Sequence, residues 1–122
     1  MDGNETAASA RECLAQGVAL FNRGEFFEAH EAMEEAMDLI DDDDDWEFFL
    51  GLLRAAVANH KLTQGAASGA IAHLQAALRY LAPYPDRYQG LKLRELRYAL
   101  SAQLNRLMSD GEPPHAPQIE LT

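Results

Sequence analysis

The stretch from Trp46 to about Gln64 includes Phe48, Phe49, Leu50, Leu52, Leu53, Ala55, Ala56, Val57 and Ala58, so a helix drawn through it is apolar nearly all round. Such a helix has no polar face to turn to water and must be central, with neighbours on several sides. The flanking sequence offers helices to cover it. From Thr6 to Asn22, Ala10, Leu14, Gly17 and Phe21 recur at helical spacing, and Gly24 follows as a stop signal. A second helix is expected from Glu25 to Ile40, with Phe26, Met33, Met37 and Ile40 on its apolar stripe. The acids of its first turn suit the positive end of the helix dipole. A fourth, Ala67 to Leu81, turns Ala70, Leu74, Ala77, Leu78 and Leu81 inward, and a fifth, Leu91 to Met108, repeats Leu93, Leu96, Leu100, Leu104 and Leu107 on one face.

The breaks between these segments are also readable. Asp41 to Asp45 is a run of aspartates that repel one another and propagate a helix poorly, so it reads as a solvated connection whose last member, Asp45, caps the central helix. Gly65 ends that helix, and Pro83 and Pro85 prevent the fourth from continuing. After Ser109, Pro113, Pro114 and Pro117 mark a tail. A chain of 122 residues is long enough for one core without disulfide or metal staples. The expected organisation is a single helical domain over residues 1–109, with an extended or disordered tail over 110–122.

Superposing Gly24 on Gly65 pairs Ala29 with Ala70, Met33 with Leu74, Ala36 with Ala77, Met37 with Leu78 and Ile40 with Leu81. Two similar helix hairpins packed side by side follow from this repeat. The Gly-x-Phe-x-x-Ala pattern at Gly24 is also distantly tetratricopeptide-like, but two units fall short of the three that a solenoid needs. The predicted class is all-α, a compact bundle of about five helices built around two hairpins.

Charge limits the choice of partner. Residues 1–60 hold 15 acids against 3 Lys and Arg, a net −12, whereas residues 61–122 hold 5 against 7, a net +2. Nucleic acid binding depends on basic residues neutralising phosphates, and the first half argues against it. The two halves could instead associate head to tail, as in a homodimer, and the Tyr84 to Tyr88 turn offers aromatic anchors for a partner. The single Cys13 cannot form an internal disulfide, no run of 18 uncharged apolar residues exists, and Met-Asp-Gly-Asn-Glu-Thr lacks the features of a signal peptide. These features lead us to expect a cytoplasmic chain that does not enter a membrane.

Residues 24–34, Gly-Glu-Phe-Phe-Glu-Ala-His-Glu-Ala-Met-Glu, set a histidine and acids beside bulky apolar residues on one helix. His30 and Glu34, one turn apart, flank the buried stripe, and Glu31 lies further round. With His60 on the central helix, His30 and Glu34 have the chemistry of a zinc or iron site with an open position for water. The competing reading is a partly buried His30–Glu34 hydrogen bond that locks two helices together. The stronger His-Glu-x-x-His and paired Glu-x-x-His patterns are absent. His60 near a helix end suits the dipole, His73 falls on the exposed side of the fourth helix, and His115 lies in the tail. Cys13, Met33 and Met37 read as core fillers. The aspartate run lacks EF-hand spacing, and no phosphate loop or dinucleotide fingerprint occurs.

Asn22, Gly24, Phe26, Phe27, Glu28, Ala29, His30, Glu31 and Glu34, followed by the Gly51-Leu52-Leu53 helix ending in His60, resemble the bacterial and archaeal domain-of-unknown-function family number 309. The likeness covers roughly residues 12–81. It implies a small helical domain without an assigned activity, whose characteristic polar positions correspond to His30, Glu31, Glu34 and His60. Met37 stands where that family commonly has tryptophan, and Leu50 where it commonly has glutamine.

These readings lead to an expected binding or interaction module, without cofactor, that takes a protein or small-molecule partner at the His30, Glu31, Glu34 and His60 cluster. The alternative is a metal-dependent, hydrolase-like enzyme with His30 and His60 as zinc or iron ligands and Glu34 as ligand or general base. The acidic, lysine-poor composition, with only Lys61 and Lys92, fits either a halophilic source or ordinary acidic variation. A halophilic source requires the melting temperature to rise between low salt and molar KCl. A Tm that does not rise assigns the acidity to ordinary variation.

Overall fold

The computed structural model describes residues 3–40, 43–110 and 115–122. Among them five helices run in sequence order: α1 (Gly3–Asn22), α2 (Phe26–Leu39), α3 (Asp43–Thr63), α4 (Ala67–Leu81) and α5 (Leu93–Asp110). Each packs on the next, so α2 rests on α1 and α3, and α4 on α3 and α5. The central position expected for the third helix is observed: Phe48, Phe49, Leu52, Ala55, Ala56 and Ala58 are all buried.

The internal repeat reflects two helix hairpins, α1–α2 and α3–α4, with matching turns. Gly24 and Gly65 both adopt positive φ, +82° and +74°. In the first turn Glu25 N–H donates to the Leu20 carbonyl at 2.9 Å and Gly24 N–H to Phe21 at 3.0 Å; in the second, Ala66 N–H donates to Lys61 at 2.9 Å and Gly65 N–H to Leu62 at 3.1 Å. This is the Schellman termination, which satisfies carbonyls that a helix end would otherwise strand and favours glycine at the left-handed residue. Each turn sends its following helix back along the preceding one.

Small side chains set how closely these helices approach. Ala29 and Ala36 on α2, Ala55 and Ala58 on α3, and Ala70 and Ala77 on α4 have no exposed surface. A Cβ at Gly51 would lie 2.6 Å from Leu81 Cγ, so α3 and α4 touch there with no room for a side chain. Larger residues fill the remaining space. Phe21, Phe48, Met33, Leu74 and Leu81 are fully buried, and each such aliphatic or aromatic side chain contributes about 1.5–3 kcal/mol.

The sequence reading needs three corrections. First, Asp43 to Asp45 belong to α3 rather than to a solvated connection; acids are stabilised in the first turn of a helix by its dipole. Asp41 and Asp42 lie outside the described residues. Asp45 is not a cap: its carboxylate accepts from the Tyr88 hydroxyl and from Gln89 Nε2. Second, Leu91 does not begin the last helix. Arg87–Tyr88 (β1) and Leu91–Lys92 (β2) form a small antiparallel hairpin. Its two-residue turn has positive φ at both Gln89 (52°) and Gly90 (78°), the backbone pattern of a type I′ turn. Third, Tyr84 and Tyr88 are not free anchors. They are half-buried, their rings pack on Phe48 at 5.6 and 5.1 Å, and Tyr84 Oη accepts from Phe48 N–H at 3.0 Å.

Residues 115–122 run extended along α1 and β2. Asn22, the last residue of α1, holds both backbone groups of Ile119: Asn22 Nδ2 donates to the Ile119 carbonyl at 3.0 Å, and Ile119 N–H donates to Asn22 Oδ1 at 2.7 Å. The Ile119 side chain is buried in the core, and Leu121 bridges Leu91 across the edge of β2.

One polar pair lies inside the bundle. Asn59 on α3 and Gln103 on α5 are only 2% and 3% exposed. Gln103 Nε2 donates to Asn59 Oδ1 at 2.6 Å, while Asn59 Nδ2 donates to the Ala55 carbonyl at 2.9 Å. Replacing Asn59 with Leu strands the Gln103 amide in an apolar core and is expected to lower stability by about 1–3 kcal/mol. The Asn59→Leu/Gln103→Leu double variant restores most of that loss, because neither position then buries an unsatisfied amide. Urea unfolding of the three proteins checks this; a double variant as unstable as the single one would contradict it.

Candidate functional site

The motif of α2 produces a surface stripe because Phe27, His30, Glu31 and Glu34 fall at i, i+3, i+4 and i+7. The opposite face of the same helix buries Phe26, Ala29, Met33 and Ala36. Phe27 is 41% exposed although it is a large apolar side chain. Its ring stacks on His30, with centroids 5.4 Å apart, and lies against His60 of α3, with centroids 5.7 Å apart. The start of α2 and the end of α3 therefore meet in a partly open platform of one phenyl ring and two imidazoles. Glu28, Glu31, Glu34 and Glu35 are exposed on the same helix.

This arrangement settles where each expected site residue lies. His30 Nδ1 donates to the Phe27 carbonyl of its own helix at 3.1 Å, which fixes the ring and leaves Nε2 on the Glu34 side. Nε2 is 3.8 Å from Glu34 Oε2, and the Glu34 side chain is 61% exposed. That is a loose, solvent-screened pair within one helix, worth little energetically. It does not lock two helices together; from this stripe the side chain that reaches α3 is Phe27, against His60. Glu31 is exposed and His60 is half-buried in the last turn of α3. His30, Glu34 and His60 do not form one ligand set, since Phe27 occupies the contact between the imidazoles. Among the described residues no three His, Cys, Asp or Glu side chains come within reach of one metal ion.

A cavity of about 540 Å³ opens elsewhere, between α1 and the β1–β2 turn, lined by Leu14, Val18, Leu91 and Leu121 with Arg11 at its polar side. None of the motif residues lines it. Cys13, on α1, lies in the hydrophobic core; burial, then Glu35 and Glu12, raise its thiol above the ordinary value, which disfavours the nucleophilic thiolate.

The sequence placed His73 on the exposed side of α4, whereas the structure turns it toward α3. Arg54 Nη1 donates to His73 Nδ1 at 3.0 Å, a geometry that requires the neutral ring with its proton on Nε2. Burial, followed by the charges of Arg54 and Lys61, pushes the His73 pKa below the ordinary histidine value. The only prior signal was an arginine within the apolar α3. Periodicity could not say which α4 residue meets it.

The sign of this shift gives a pH dependence. A histidine whose folded pKa lies below its unfolded value of about 6.5 binds fewer protons when folded, so its contribution is fully present above that value and is lost as pH falls through the folded pKa. The urea midpoint is therefore expected to drop between pH 7.5 and 5.5. His73→Gln, which keeps an acceptor for Arg54 but does not titrate, should lessen the drop. An equal drop in the variant would assign it to other groups.

No described helix is long and apolar enough to cross a membrane. Residues 14–73, from α1 through His73, match the family model of a domain of unknown function (DUF309). The chain is also 32% identical over 103 residues to an uncharacterized protein of Aquifex aeolicus (strain VF5), covering 84% of this chain and 31% of that protein. It thus spans about a third of that relative's length. The family match includes His30, Glu31, Glu34 and His60 and both Schellman turns, and over residues 14–73 this chain is similar to the domain of unknown function family DUF309.

Proposed function

We propose that this domain is a binding module and that the α2 stripe, with His60, takes a basic segment of a protein partner. The observation that carries the reading is the exposure of Phe27, 41% open to solvent while stacked on His30 and resting at a tilt against His60. A preformed aromatic face edged by Glu28, Glu31 and Glu34 matches an arginine side chain. The guanidinium plane lies on the ring, and its N–H groups reach the carboxylates. The net −12 over residues 1–60 draws a cationic partner to the same side of the chain. The length of the Aquifex aeolicus relative agrees with a part that works alongside other polypeptide.

The test is a panel of arginine-containing peptides measured by fluorescence anisotropy against the wild-type protein, Phe27→Ala and Glu31→Gln/Glu34→Gln. Phe27→Ala is expected to weaken binding by about tenfold or more and to lower Tm less than truncating a fully buried phenylalanine such as Phe48, because the Phe27 ring is partly open to solvent. The double glutamine variant should weaken binding and flatten its salt dependence. Equal binding by Phe27→Ala, or equal binding of peptides with glutamate in place of arginine, would overturn the reading.

A further inference from the structure

Residues 48–85 contain no Asp or Glu, in a chain that has 20 of them, and within that span lie Arg54, Lys61 and His73. We infer that these three residues form a site for a phosphate dianion on the α3–α4 face, independent of the α2 stripe. Arg54 and Lys61 are seven residues apart on α3 and share one face. On α4, Gly69 and His73 are four apart and likewise share a face. The two faces meet: Arg54 Nη1 is 3.0 Å from His73 Nδ1, and a Cβ at Gly69 would lie 2.7 Å from Lys61 Cδ and 3.9 Å from Lys61 Nζ. Gly69 thus leaves the space in which the Lys61 stem crosses α4, one turn from His73.

The cluster has donors without acceptors. Arg54 and Lys61 take part in none of the Arg or Lys ion pairs formed among the described residues, which join Arg23 to Glu25, Lys92 to Glu120 and Arg97 to Asp86. Arg54 Nε is buried without an acceptor. Because His73 Nδ1 accepts from Arg54, its proton sits on Nε2, which adds a further donor. An uncompensated buried donor is costly, and an oxyanion at this face would meet the positive charge of the Arg54 guanidinium together with the Lys61 and His73 donors.

Charge selects the class of ligand. With His73 neutral, Arg54 and Lys61 supply two positive charges, which a phosphate dianion neutralises and a carboxylate does not. Three groups in one patch suit a single phosphate rather than a nucleic acid backbone, which needs an extended basic track. The overall charge of −10 repels anions, but at physiological ionic strength that repulsion is screened beyond about 8 Å, while contacts at hydrogen-bonding distance are not.

The test uses the full chain, isotopically labelled, at pH 7.5, with inorganic phosphate titrated against KCl of matched ionic strength. Saturable NMR shifts of the His73 ring, the Arg54 guanidinium and the Lys61 ammonium are expected. Lys61→Gln and Arg54→Gln should each weaken phosphate by about tenfold, the scale of one lost charge-assisted contact. Lys61 is half-exposed, so its variant remains a fair test if Arg54→Gln unfolds. A glycerol phosphate arm separates the sources: tighter binding than phosphate assigns the site to phosphorylated metabolites, and equal binding to free phosphate. Shifts that follow the KCl control, or acetate binding as well as phosphate, would overturn the inference.

Discussion

The close approach of α2, α3 and α4 on alanine and glycine is the constraint on which the rest of this domain depends. With Ala29, Ala36, Ala55, Ala58, Ala70 and Ala77 fully buried, the helix backbones lie near enough for polar and aromatic side chains at the edges of the seams to meet. Arg54 therefore reaches His73, and the Phe27 ring reaches His60. The Schellman turns at Gly24 and Gly65 reinforce the arrangement by fixing how each hairpin reverses. Bulkier residues along the seams would push the helices apart and separate both polar clusters.

The domain keeps its core apolar and places chemistry at its seams. Between α2 and α3 the seam opens onto an aromatic platform edged with acids. Between α3 and α4 it carries cations in an acid-free stretch. The two surfaces share α3 and have opposite electrostatic character. The Asn59–Gln103 pair, by contrast, sits inside, where its amides satisfy each other and tie α5 to the central helix.

Much of this architecture was legible in the sequence, and what was not has physical reasons. The stripes of α1, α4 and α5 and the all-round apolar α3 were read from spacing, since burial acts on every turn of a helix. The hairpin at Gln89-Gly90 escaped because glutamine is an uncommon residue at positive φ. The site was legible only as composition. His30, Glu31 and Glu34 could be placed on one helix, but helical spacing left Phe27 off the apolar stripe and could not show that its ring meets an imidazole of another helix. His30 and His60 cover part of the ring, and the rest is open to solvent.

The amino-acid pattern by itself determined an all-helical chain, the centrality of α3, the two equivalent hairpins and the uneven distribution of charge. These depend on local periodicity, glycine stereochemistry and counting. Only the tertiary structure decided that Phe27 joins His30 to His60, that Arg54 meets His73, that Asn59 meets Gln103 and that Asn22 clamps Ile119. Such pairings depend on the register between helices, and packing across the whole bundle sets that register.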